Sequence, residues 1–145
     1  MEKKKEKKDN MLLVSSMLTE GKSVWIRVSG TSMFPAIRDG DQVKADPLIQ
    51  KELKVGKVVC FLSGEKFVAH RIRRITRDGD VVTGGDFYRK EDPIRKENEI
   101  LGFVTFLRRK DMEKRVKSKS PFMIDILRLM NKIRYRTRDH FISSS

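Results

Sequence analysis

Cysteine is almost missing from this chain: Cys60 is the one thiol among 145 residues. A lone cysteine cannot form an intramolecular disulfide and cannot by itself build a cysteine-rich zinc site. It sits in Lys57-Val58-Val59-Cys60-Phe61-Leu62, an apolar strand-like run, and reads as a buried packing residue rather than a reactive thiol. Long hydrophobic runs are missing too. No stretch approaches the roughly 18 apolar residues that a transmembrane helix needs. Lysines followed by Met11-Leu12-Leu13-Val14 imitate the start of a secretory leader, but Ser15 and Ser16 interrupt the run and Glu20 ends it. With no small-residue cleavage site there, the segment reads as a short helix. Histidine is scarce as well, with only His70 and His140, so a search for an imidazole base is short.

What is present is positive charge, unevenly placed. The formal net charge is +13. Residues 1–10 carry five lysines against three acids, while residues 108–140 carry twelve Lys/Arg against four acids. The basicity therefore belongs mainly to the C-terminal tail. Such a tail invites nucleic acid as a partner, but it holds few aromatics for base stacking and no recognised nucleic-acid motif, so none is expected. A hydrophobic content of 38% fits one domain with a modest core.

Residues 1–10 read as a solvated, frayed charge run. Met11, Leu13, Val14, Met17 and Leu18 recur at helical spacing, between Asn10 as a cap and Gly21 as a stop. Short strands are expected over 24–28, 41–45, 57–62, 66–75, 81–83 and 100–107. Asp46-Pro47 ends the second of these, Ser63-Gly64-Glu65 turns a hairpin, and a polar loop spans 84–98. The fold class is mainly β, a compact domain with a short N-terminal helix and a C-terminal amphipathic helix. The expected divisions are a charged arm and helix over 1–21, the β domain over 22–108 and the basic tail over 109–145. In the tail, Pro121 marks a helix start, and Phe122, Ile126, Leu129, Met130 and Ile133 share a face.

The stretch richest in chemical meaning is Ser29-Gly30-Thr31-Ser32-Met33-Phe34-Pro35-Ala36-Ile37-Arg38-Asp39-Gly40-Asp41. Glycine allows unusual backbone dihedrals beside the Ser32 hydroxyl, and Pro35 fixes the exit of the turn. A serine hydroxyl becomes a useful nucleophile only when a base takes its proton. His140 lies beside Asp139 in the charged tail and reads as solvated. His70 lies in Phe67-Val68-Ala69-His70-Arg71-Ile72, within the β domain, either as that base or as a satisfied structural imidazole.

The serine turn resembles the G-x-S-M-x-P box of the signal peptidase I family. The His70-Arg71-Ile72 segment resembles the archaeal and endoplasmic-reticulum branch, which uses histidine where the bacterial branch has lysine. Val82-Thr83-Gly84-Gly85-Asp86 is similar to the family's T-x-G-D segment, and Ile100-Leu101-Gly102-Phe103-Val104 to its closing strand. The likeness covers about residues 24–107. It implies a β domain of the LexA/signal-peptidase type and a serine endopeptidase cutting a peptide or precursor-protein bond through an acyl-enzyme. Ser32 would be the nucleophile, His70 the general base and the Ser32 N–H one oxyanion donor. Asp92 would orient the imidazole, with Asp86 as second candidate or as a brace for its loop. Both aspartates also suit plain turn chemistry. No metal or organic cofactor is implied.

The chain departs from that pattern at Gly30, where a serine is usual, at Lys57, where an aspartate is usual, and in having no membrane anchor. The site is therefore expected in the cytoplasm or peripherally at the cytoplasmic membrane. The basic tail helix could lie on an anionic membrane, pack on the β domain or enter a partner's groove. Two other readings stand beside this one. A self-cleaving, LexA-like peptidase would have a lysine base and an Ala-Gly or Cys-Gly bond, and the sequence has neither. A catalytically silent binding module would act through its tail. Oligomeric state is left open.

Overall fold

Strand β3 (Val58–Ser63) shows how this sequence builds a sheet with two buried faces. Val58 and Cys60 enter one apolar cluster, Val59 and Phe61 the other, because successive side chains point to opposite faces. The first cluster gathers Leu18, Ile26, Met33, Val43, Val104 and Leu107, among others. The second gathers Ile72, Val81, Ile100 and Phe103. The structure is a computed structural model that describes residues 1–143; the side chains of Asn131, Tyr135 and residues 137–143 lie outside that description.

The remaining strands are β1 (Val24–Arg27), β2 (Gln42–Pro47), β4 (Lys66–Ile75), β5 (Val81–Gly84), β6 (Ile100–Arg109) and β7 (Met112–Arg115). They form one antiparallel sheet in the order β1-β2-β6-β3-β4-β5, with β7 added to β6. The class is the expected one: mainly antiparallel β, with an N-terminal helix α1 (Glu2–Thr19) and a C-terminal helix α2 (Pro121–Ser143).

Several local expectations change. Helix α1 begins at Glu2 rather than after Asn10, which lies inside it. Lys and Glu are strong helix formers, so the charge run continues the helix while staying exposed. Val14, Met17 and Leu18 then seat its last turns on the first cluster. Asp46-Pro47 does not end β2 early: Pro47 is its last paired residue, opposite Gly102. Asp46 is instead a brace, accepting hydrogen bonds from Ser23 Oγ (2.6 Å) and Thr105 Oγ1 (2.7 Å). Strand β7 is absent from the sequence reading because Met112–Arg115 is exposed throughout and carries no apolar alternation. Cys60 is buried as expected, its thiol 3.5 Å from the Gly102 carbonyl, and burial pushes its pKa up to about 12.

Helix α2 starts at Pro121 as expected, but its apolar face does not pack on the sheet. Phe122 is 73% exposed and Leu129 60%, while Ile124 is the deeply buried residue of its first turns. No helix among the described residues is long and apolar enough to cross a membrane.

Candidate active site

The serine turn is held by its own acids. The Gly30 N–H donates to Asp39 Oδ1 at 2.8 Å, and Gly30 has φ +95°, a conformation that suits glycine. Asp41 Oδ2 accepts from the Arg38 N–H, and Arg109 pairs with both Asp41 oxygens at 2.8–2.9 Å. The Asp-Gly-Asp that closes the motif thus ties the turn to itself and to β6. Met33 points into the core, and the Phe34–Pro35 peptide is cis. From the other side, the Phe87 N–H donates to the Ser32 carbonyl at 3.0 Å. Gly85 passes so close that a Cβ there would lie 2.5 Å from that carbonyl oxygen, so no larger residue fits without displacing the turn.

Strand β4 delivers the histidine. It pairs with β3 along Lys66–Arg71 and with β5 only along Arg71–Ile75. Among the described residues, the edge of residues 66–70 facing away from β3 therefore has no partner strand. His70 stands at the end of that edge, its Nε2 3.1 Å from Ser32 Oγ and its Nδ1 2.5 Å from Asp92 Oδ2. Thr83 Oγ1 donates to the same Asp92 oxygen at 2.7 Å, and the Asp92 N–H donates to the Thr83 carbonyl at 2.8 Å.

Burial alone would push the Asp92 carboxyl up. The hydrogen bonds from His70 and Thr83, with the charges of His70 and Arg95, outweigh it and leave the group below the usual carboxylate range. An ionised carboxylate can only accept, so Nδ1 carries the donated proton. In the neutral imidazole, Nε2 is then left with a lone pair facing the Ser32 hydroxyl. Phe61 meets the imidazole edge-on at 6.1 Å between centroids, with the Arg95 guanidinium 3.8 Å above the Phe61 ring.

Of the four residues singled out, the structure brings Ser32, His70 and Asp92 together. Asp86 is elsewhere. It makes a two-point ion pair with Arg71, 2.8 Å to Nε and 2.9 Å to Nη2, sealed from solvent. Its orienting role is therefore corrected to the brace: the neighbouring residue of β4 holds it on the opposite face. Arg71 also donates to the carbonyls of Gly56 and Lys117, and Arg73 donates to those of Gly85, Tyr88 and Arg89. These arginines, with Thr83, are the contributors that sequence reasoning missed. Arg71, flanked by His70 and Ile72 inside a strand-forming run, was the available signal, since buried arginine needs partners. The His140 side chain lies outside the described residues.

A cavity of about 280 Å³ is lined by Ser32 and His70 together with Val28, Met33, Ile37 and Phe67. A second, of about 370 Å³, shares His70 and Tyr88 and runs along Lys90, Asp92 and Pro93. Gly30, where the resemblance has a serine, carries no hydroxyl, and its N–H is committed to Asp39. The described residues contain no cluster of three or more His, Cys, Asp or Glu suited to hold a metal ion.

None of the curated proteins compared with the chain matches it. The family model described as Peptidase S24-like does match, over residues 1–104. Signal peptidase I is a related but distinct family. The likeness read from the motifs therefore narrows to the shared serine-peptidase type of fold, and the self-cleaving group set aside on its base is the one whose family matches. By that match over the greater part of its length, the chain belongs to the Peptidase S24-like family.

Proposed function

We propose that this chain is a serine endopeptidase that hydrolyses an extended peptide or precursor-protein segment through an acyl-enzyme. The observation carrying the proposal is the continuous relay from Ser32 Oγ to His70 Nε2 and from His70 Nδ1 to Asp92, beside a cavity and an unpaired strand edge. A substrate strand added to the 66–70 edge would satisfy that edge's free N–H and C=O groups and present its carbonyl to Ser32. His70 takes the Ser32 proton as Oγ attacks, then returns it to the leaving amine. Asp92 holds the tautomer and stabilises the imidazolium. The same cycle with water releases the acyl group. The Ser32 N–H, with no partner among the described residues, is free to donate to the oxyanion.

The finer reading is a peptidase that acts as signal peptidase I does, on precursor proteins with histidine as base. Two features support it: His70 where the repressor-type group has lysine, and no Ala-Gly or Cys-Gly bond in the sequence for self-cleavage.

The test is digestion of a diverse peptide library by wild type and Ser32→Ala in parallel, read by mass spectrometry. The cuts should disappear in the variant, with kcat lower by about 10⁴-fold or more. Cuts that persist in Ser32→Ala would overturn the assignment.

A further inference from the structure

We infer that helix α2 is a docking element for an anionic lipid bilayer. With about 100° of rotation per residue, Phe122, Met123, Ile126, Leu129, Met130 and Ile133 fall within an arc of about 120°. All but the half-buried Ile126 are exposed. The opposite side of the helix faces the protein: Ile124 is buried, and Arg128 donates from Nε to the Asp86 carbonyl at 3.3 Å and pairs with Asp125 at 3.0 Å. The apolar arc therefore points away from the domain that carries the helix.

Charge decides what covers it. Lys132 and Arg136, both exposed, border the arc on one side, with Asp125 between them engaged by Arg128, and Arg134, also exposed, borders it on the other. Long basic side chains flanking an apolar stripe can reach phosphate headgroups while the stripe enters the acyl boundary. The other candidates fit worse. A two-fold pairing of α2 with a second copy would set this basic border against itself. Nucleic acid would engage the cations and leave Phe122, Leu129 and Met130 in water. An anionic bilayer satisfies both halves of the surface, and each nearby cation adds to its attraction.

The Arg128–Asp86 contact gives docking a consequence. Asp86 lies beside Gly85, which packs on the Ser32 carbonyl. A bilayer under α2 thus holds the loop bearing Asp86 and Asp92 in a set orientation to the membrane surface.

Co-sedimentation of the full chain tests this, using vesicles of mixed phosphatidylglycerol and phosphatidylcholine against phosphatidylcholine alone. Wild type should bind the mixed vesicles about tenfold or more tightly than the neutral ones. Phe122→Ser with Leu129→Ser, both exposed positions, should lose about tenfold or more of that binding without changing the thermal unfolding midpoint. Lys132→Glu with Arg136→Glu should remove the preference for the anionic lipid. Equal binding to both vesicles, no binding to either, or a Phe122→Ser/Leu129→Ser protein that binds as wild type would each overturn the inference. So would a dimer in solution that those two serines dissolve.

Discussion

His70 and Arg71 are neighbours on one strand, each paired with an aspartate from the same loop, and they do opposite work. The alternation of β4 sends His70 to the face of Val59 and Phe61 and Arg71 to the face of Val58. The loop from Gly85 to Asp92 wraps the strand and supplies one carboxylate to each. The His70 and Asp92 side chains keep 13% and 23% of their exposure, whereas Arg71 and Asp86 keep 0% and 4%. The pair that would exchange a proton with a substrate in the proposed reaction stays at the surface of a cavity. A pair that only has to hold its loop is closed off, where each charge needs the other.

That contrast can be broken from either side. The largest effect should come from Asp92→Asn, which keeps the shape of the relay but allows the wrong histidine tautomer. A loss of about 10⁴-fold in kcat against a cleavable library peptide is expected, with a smaller loss of thermal stability than Arg71→Ala produces. Arg71→Ala should do the reverse in kind: an orphaned Asp86 carboxylate in the core costs about 3–5 kcal/mol. This would be seen as a lower denaturation midpoint in urea. Replacing both partners, Arg71→Met with Asp86→Leu, should recover most of that loss. Full activity in Asp92→Asn, or an unchanged midpoint in Arg71→Ala, would erase the distinction between the two pairs.

Smaller effects sharpen it. Thr83→Val removes one hydrogen bond to Asp92 Oδ2 while keeping its shape, and should cost about 1 kcal/mol, or roughly fivefold in kcat. The acid limb of stability should reflect Asp92, among others. Besides Asp92, Asp41 and Asp46 lie below the usual carboxylate range. Burial raises both, but Arg109 and the Arg38 N–H outweigh it at Asp41, as Ser23, Thr105 and Lys44 do at Asp46. A carboxylate with a depressed folded value contributes stability that is complete above the unfolded value of about 3.9 and is lost as pH falls through the folded one. Stability should therefore hold from neutrality to about pH 5 and decline below about pH 4. Urea unfolding at stepped pH would show Asp92→Asn with a shallower decline than wild type.

Much of this was legible in the chain itself. Gly30, Pro35 and the Asp-Gly-Asp ending marked a serine turn because local backbone chemistry is written in residue type. The apolar runs at 57–62, 66–75 and 100–107 marked strands because burial on a sheet needs them. What stayed hidden was whatever depends on a distant partner. Strand β7 has no apolar signal and exists through its pairing with β6. Asp46 resembles a strand breaker until Ser23 and Thr105 are brought to it. The tail helix was legible as amphipathic, yet which of its faces met the domain was not, since Ile124 and Phe122 are equally apolar in sequence.

By itself the sequence determined the β class, the serine turn, the scarcity of candidate bases and the basic amphipathic tail. Each of these follows from composition or from spacing along a few residues. Only the tertiary structure decided between Asp92 and Asp86. Both stand in the same loop within hydrogen-bonding range of β4, and the choice depends on which face of that strand each carboxylate reaches.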